Sequence, residues 1–246
     1  MIKLSIVIPV LQSHEVVRRQ LLHFEKMVLH DDTEIILVDD GSDPPIENTS
    51  SRPIIIHRTN DFRPWTWALA RNAGARIARG EYLLMYDLDH IVPAYAINFI
   101  RAFQGLKVQF VRDFGVLDEH GNLKTDRKTL TEYGLPTTSG KGIGPLPNNF
   151  AMRRDLFWEL GGYREDLVNR PYPQGEDRAW RSTWRTYELA HGGEGTCVCE
   201  HRPKIYMFPN GKYLGDVDAD PKGLFHGLSR KNEQNFWYRQ QQRKRL

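Results

Sequence analysis

Apolar residues near the N-terminus fall in short dense runs separated by amphipathic stretches. Leu4 to Val10 is one such run, with the length and bulk of a parallel strand covered on both faces. Glu34 to Asp39 and Pro53 to His57 read as two more strands, and Tyr82 to Asp89 as a fourth, whose apolar core is Tyr82 to Tyr86. Between them, residues 14–29 carry Val17, Leu21, Leu22, Phe24 and Val28 on approximately one helical face. Trp65 to Arg79 places Trp65, Leu69, Ala73 and Ile77 on one stripe, and Pro93 to Phe103 continues as a helix. Strands alternating with helices predict right-handed crossovers and a mostly parallel central sheet flanked by helices, an α/β fold.

The second half is less regular. Val108 to Arg112 reads as a strand. The stretch 136–149 is rich in Gly, Thr, Ser and Pro, so it is expected to be a mobile loop, either a lid over a crevice or a surface insertion. Asn149 to Asp166 runs from a strand into a short helix broken by Gly161-Gly162. From Gln174 a further helix reaches about His191, with Glu176 and Asp177 in its first turn. With no internal repeat or linker, the chain reads as one domain with a C-terminal extension: a first half over 1–104, a second half over 105–228 and a basic segment over 229–246.

The candidate chemistry lies where strands end. In parallel sheets ligands gather outside the carboxyl ends of the strands. Asp39-Asp40 and Asp87-Leu-Asp89 both sit at such ends and predict one acidic crevice. Carboxylates one residue apart on an extended strand point to the same side and repel unless a cation lies between them. Hard oxygen ligands suit Mg²⁺ or Mn²⁺, which commonly also bind substrate phosphates. The alternative is a simple turn, which Asp favours. Glu176 and Asp177 either complement a helix dipole or accept a proton from an incoming hydroxyl. His226 reads as a structural histidine or a metal ligand.

Composition changes this picture little. Hydrophobic content of 40% and charged content of 26% fit a globular protein, and a net charge of +3 is too small to imply a partner. Distribution matters more: residues 229–246 hold six Lys/Arg against one acid, Glu233, with Phe236, Trp237 and Tyr238 among them. That segment suits a solvated tail, an anionic membrane or nucleic-acid phosphates. No apolar run is long enough to span a bilayer and no signal peptide precedes the first strand, so a cytoplasmic or membrane-peripheral location is expected. Cys197 and Cys199 alternate as buried thiols would; a metal site there lacks a second Cys pair.

Six segments carry a resemblance. Ser5 to Pro9, Val38 to Ser42, Ala70 to Gly74, Asp87 to Asp89, Gly161 to Tyr163 and Gly175 to Asp177 occur in the order found in inverting, nucleotide-sugar-dependent glycosyltransferases of the GT-A fold. His226, followed by Lys231-Asn-Glu-Gln-Asn235, resembles the β-1,4-galactosyltransferase type, and the similarity runs from Lys3 to Asn235. The resemblance implies a metal-dependent hexosyl transfer from a nucleotide-diphosphate sugar, a UDP-sugar above all, to a hydroxyl acceptor. A glycan or lipid-linked glycan is the default acceptor and a modified nucleic-acid base the alternative. It implies that Pro9 and Asp40 line the nucleotide site, with Asp40 on the base. Arg71 would lie near base or diphosphate. Asp87 and Asp89 would face metal and ribose, with Asp89 the direct ligand. His226, or His201, would complete the metal site. Glu176 would orient the acceptor and Asp177 would act as base. Absence of a stem or anchor, unlike secretory-pathway members, implies a bacterial or viral enzyme.

The chain departs from that pattern in two places. Val10 and Leu11 follow the first strand where an aromatic residue often stacks on the base, and Arg178-Ala-Trp180 follows Glu176-Asp177 in place of further acids. A binding protein that has lost catalysis, and a sugar-phosphate nucleotidyltransferase, share the expected fold. The second usually carries a Gly-rich first loop, and Pro9 to Ser13 contains no glycine.

Overall fold

The computed structural model describes residues 1–11, 13–61, 66–133, 135, 146–169, 175–192, 196–197 and 203–207. Its first half alternates as expected: β1 (Leu4–Val10), α1 (His14–Lys26), β2 (Thr33–Asp39), β3 (Ile55–Arg58), α2 (Trp67–Ile77) and β4 (Tyr82–Met85). Next come β5 (His90–Ile91), α3 (Ala94–Ala102), β6 (Lys107–Gln109), β7 (Val111–Phe114), β8 (Val116–Leu117), β9 (Leu123–Lys124) and α4 (Arg127–Glu132). The chain continues through β10 (Phe150–Arg153), α5 (Arg154–Glu159), a 3₁₀ helix (Glu165–Asn169), α6 (Glu176–Ala190), β11 (Thr196–Cys197) and β12 (Lys204–Met207).

Seven strands form the central sheet in the order β11-β6-β10-β4-β1-β2-β3. β1 pairs in parallel with both β2 and β4, and β10 alone runs against its neighbours β4 and β6. β1 has every residue buried, which explains why all but one of its residues are apolar. Ile6 and Ile8 pack into one core with α1 and α3, while Val7 on the opposite face packs into another with α2, α5 and α6. Ser5, the polar residue in that run, is satisfied by donating to Glu34 Oε1 at 2.6 Å and accepting from Gly80 N at 2.8 Å.

α2 lies unusually close to the sheet. A Cβ on Gly74 would come 2.4 Å from Val7 Cγ1 and 2.7 Å from Val38 Cγ2. Glycine at this helical position therefore sets the height of α2, and of the side chains it carries, above β1 and β2.

Two expectations are corrected. The strand read as Tyr82 to Asp89 ends at Met85; Asp87 to His90 form a turn closed by His90 N donating to Asp87 O at 3.0 Å. Turn-forming aspartates win there over continued pairing. The strand read as Val108 to Arg112 is two strands in different sheets, β6 in the central sheet and β7 in a smaller sheet ordered β5-β12-β7. Phe110, fully buried, marks the crossing. Residues 136–145 of the expected loop, Cys199, His201 and the segment from 208 to 246 with His226 lie outside the described residues.

Candidate active site at the carboxyl ends of the central strands

Asp39 and Asp40 leave β2 together and do different things. Asp39 is structural: its Oδ1 accepts from Ser42 N at 2.9 Å and its Oδ2 from Ile46 N at 3.0 Å, closing the following loop. Asp40 is anchored beside β1 by its own N–H, which donates to Val10 O at 2.8 Å. Its carboxylate accepts from Thr59 Oγ1 at 3.0 Å and from the Thr66 hydroxyl. Pro9 is buried one residue before the end of β1, in register with Val38. Its missing N–H is tolerated near the strand end.

The turn after β4 is pinned from four directions. Asp87 N donates to Asn149 Oδ1 at 3.0 Å, from the residue before β10. Arg71 of α2 donates through Nη2 to Asp87 Oδ1. Gln20 of α1, itself buried, donates through Nε2 to Leu88 O at 3.2 Å and to His90 O. His90 Nδ1 lies 2.7 Å from Asp89 Oδ1. The two carboxylates thus converge through a turn and not by sharing one face of a strand. One ligand atom each from Asp87, Asp89 and His90 lies within 4.8 Å of the others. The two carboxylates supply the hard oxygens that fit Mg²⁺ or Mn²⁺.

Neighbouring groups offset the repulsion between these acids. Burial would raise the Asp89 carboxyl, yet the charges of His90 and Arg112 hold it below the usual carboxylate value. Burial pulls the pKa of the Arg71 guanidinium downward, but the charges of Asp87, Tyr163 and Glu176 raise it above its ordinary value. The Arg71 side chain is only 4% exposed, whereas Asp87 and Glu176 remain open at 27% and 17%. Arg71 Nη1 also lies 3.9 Å from Glu176 Oε1. One guanidinium therefore links α2, the aspartate turn and the start of α6.

α6 begins where Gly175 adopts φ +99, a left-handed conformation open to glycine at little cost. Burial, helped by Asp177 and Asp87, raises the Glu176 carboxyl against the opposing pull of Arg71. Asp177 is partly exposed and accepts from Arg178 N at 2.7 Å. Beneath the cluster, Asn72 exchanges hydrogen bonds with the Tyr163 backbone at 2.8 and 2.9 Å and donates to Glu165 Oε1 at 2.8 Å. These bonds join the Arg71-Asn72 and Gly161-Gly-Tyr163 segments. The Tyr163 hydroxyl, its pKa raised by burial, donates to Asn148 Oδ1 at 3.1 Å.

Of the residues singled out in the sequence, Arg71, Asp87 and Glu176 meet directly, Asp89 joins through the turn, and Asp177 follows Glu176. Asp40 and Pro9 occupy the ends of the neighbouring strands. The histidines expected to complete the metal set, His226 and His201, lie outside the described residues. Sequence pattern does not single out several contributors, among them Gln20, His90, Arg112 and Asn149. His90 was adjacent to the aspartate pair in plain sight; Gln20 and Arg112 carry no local signal, because their role depends on how α1 and β7 pack.

The family model of glycosyl transferase family 2 matches residues 5–161, more than half of the chain. The chain belongs to glycosyl transferase family 2. The matched span of this family 2 protein contains Asp40, Arg71, Asp87 and Asp89; Glu176 and Asp177 follow it. No curated protein matches. Among solved structures, S. aureus TarS 1-349 in complex with UDP is 14% identical with a TM-score of 0.55, over 89% of this chain and 63% of that one. Mannosyltransferase PcManGT from Pyrobaculum calidifontis, in complex with GDP-Man and Mn²⁺, is 16% identical with a TM-score of 0.52, over 86% and 58%. A longer S. aureus TarS structure gives 14% and 0.57, over 89% and 38%. The family 2 chain shares the GT-A fold of these proteins and spans less than two thirds of their length.

Proposed function

We propose that this chain is a metal-dependent, inverting glycosyltransferase moving a hexosyl group from a nucleotide-diphosphate sugar to a hydroxyl acceptor. The observation that carries the reading is the bridge by Arg71 between Asp87 and Glu176. It sets a phosphate- and cation-binding turn against a carboxylate pair suited to an alcohol. Arg71 Nε and Nη1 and Asn149 Nδ2, all around Asp87, have no hydrogen-bond partner among the described residues, so the site is rich in donors for an anion. A UDP-sugar donor is the specific choice, and the UDP complex of TarS is consistent with it; the GDP-Man complex of PcManGT makes GDP-sugars the competitor.

In this scheme Pro9 and Asp40 border the base, and Arg71 neutralises the diphosphate end. Asp87 and Asp89 would hold a Mn²⁺ or Mg²⁺ ion, with His226 or His201 as the expected further ligand. Such an ion supplies positive charge to offset that building on the leaving diphosphate. Glu176 orients the acceptor and the Asp177 carboxylate takes its hydroxyl proton. The acceptor oxygen then bonds to the anomeric carbon as the carbon–oxygen bond to the diphosphate breaks, with inversion. A thermal-shift series of UDP, GDP and their sugars, each with Mn²⁺ and with chelator, tests the reading. A metal-dependent rise for one nucleotide supports it, by linkage of binding to stability, and no rise with any of them overturns it.

A glycan is the default acceptor. One feature favours the anionic alternative, a modified nucleic-acid base. Arg178, Arg181 and Arg185 lie exposed along α6 and none has a carboxylate partner among the described residues. Spacings of three and four place them on one helical face, which starts beside Asp177. Salt-sensitive retention of the protein on DNA, absent on neutral glycan resin, would select that acceptor. No helix among the described residues is long and apolar enough to cross a membrane.

A further inference from the structure

We propose that His90 is a positioning residue, which holds the Asp89 carboxylate for the cation from outside the coordination shell and is not itself a ligand. This rests on the reading of Asp87 and Asp89 as the cation seat.

The geometry separates the two roles. His90 Nδ1 lies 2.7 Å from Asp89 Oδ1, and because an ionised carboxylate can only accept, the nitrogen facing it is the donor. A nitrogen carrying that proton has no lone pair for a metal. The second nitrogen, Nε2, is buried and without a partner among the described residues, and the two ring nitrogens point in divergent directions. The whole residue is 1% exposed, while the Asp89 side chain is 25% exposed. A cation shared with a nucleotide arriving from solvent can reach the carboxylate and not the ring.

The ring is also held firmly enough to orient its neighbour. His90 opens β5, in register with Met207 of β12, and its carbonyl accepts from Gln20 Nε2. On the other side of β12, β7 carries Arg112 in register with Ile205. The small sheet β5-β12-β7 thus brings His90 and the buried Arg112 onto flanking strands, and the Arg112 charge also bears on the Asp89 carboxylate. Metal-binding side chains generally need such outer supports, whose loss costs about 10–100-fold in metal affinity.

The test compares His90→Ala, His90→Gln and His90→Asn. Asparagine keeps an N–H near the Nδ1 position; glutamine carries it further out, nearer Nε2. Mn²⁺ affinity is measured by calorimetry and by electron paramagnetic resonance with MnCl₂ and UDP or GDP, alongside a melting curve for each variant. His90→Ala and His90→Gln are expected to weaken Mn²⁺ about 10–100-fold, and His90→Asn to stay within about threefold of the parent. Equal losses in His90→Asn and His90→Ala would make the imidazole a ligand, and three unchanged variants would remove it from the site; either overturns the proposal. Should the parent protein bind no Mn²⁺ with either nucleotide, the cation seat itself fails, a result distinct from unaffected variants of a binding parent. Where His90→Ala does not fold, ¹⁵N resonances of the metal-free parent decide: a proton on Nδ1 is expected, and one on Nε2 alone overturns the assignment.

Discussion

Arg71 Nη1 stands 3.9 Å from Glu176 Oε1 while its Nη2 donates to Asp87, so one buried cation holds two acids from distant parts of the chain. Removing it leaves both partly exposed acids without their charge partner. Arg71→Ala is expected to lower stability by about 3 kcal/mol, the scale for breaking a buried pair. Urea unfolding checks this, and a change under about 0.5 kcal/mol would show that the bridge carries no structural weight. Arg71→Lys keeps the charge but loses the planar fork, and should recover only part of the loss.

Asp177→Asn should abolish sugar transfer while nucleotide binding stays nearly intact. The two measurements are turnover with the donor found by thermal shift and calorimetric binding of its nucleotide. Turnover close to the parent's would remove Asp177 as the base.

Asp89→Ala should weaken metal-dependent nucleotide binding without comparable loss in metal-free binding. An unchanged Mn²⁺ titration by calorimetry would sink the cation seat. Since His90 and Arg112 would lose the carboxylate they face, a fall in melting temperature should accompany the change.

Gly74→Ala tests the close approach of α2. Its Cβ would fall 2.4 Å from Val7 Cγ1, so α2 must lift or Val7 must shift. Overpacking of this kind costs about 1–3 kcal/mol. Because Arg71 rides on the same helix, nucleotide affinity should fall together with the melting temperature; a drop in stability alone would show that the helix accommodates the methyl without moving its charged face.

Lys107 predicts a pH dependence away from the site. It is buried on β6, with Nζ 4.2 Å from the Trp184 ring centroid and 5.2 Å from that of Phe150. Burial lowers its pKa to about 7, against a smaller upward pull from Glu188. Between pH 7 and the ordinary lysine range, the unfolded chain therefore binds the proton and the folded one does not. Stability should rise with pH across that window, with a slope of at most about 1.4 kcal/mol per pH unit. The aromatic faces favour the charged amine and reduce the slope. Lys107→Met should flatten the profile of urea midpoints from pH 7 to 10; an unaltered profile would show that Lys107 stays charged in the fold.

Much of the first half was readable along the chain. The runs at Leu4 to Val10 and Glu34 to Asp39 could only be doubly covered strands, and the alternation with amphipathic helices left a parallel sheet as the consistent arrangement. Asp40, Asp87 and Asp89 stood out because a carboxylate at the end of a buried strand has no apolar reason to be there. Asp39 looked the same by that criterion and proved to close a loop: Ser42 N and Ile46 N reach it only after the chain has folded back.

Local sequence determined the main strands and helices of the first half and most of the charged residues of the site, because strand and helix periodicity and strand-end polarity act over a few residues. Tertiary structure alone decided which charges meet. Arg71 and Glu176 are 105 positions apart, and Arg112 bears on Asp89 only because the chain crosses at Phe110 into a second sheet. Such pairings are set by the stacking of helices on a sheet and by strand order. Both depend on burying surfaces shared by distant segments, so neither is written in any one stretch of the chain.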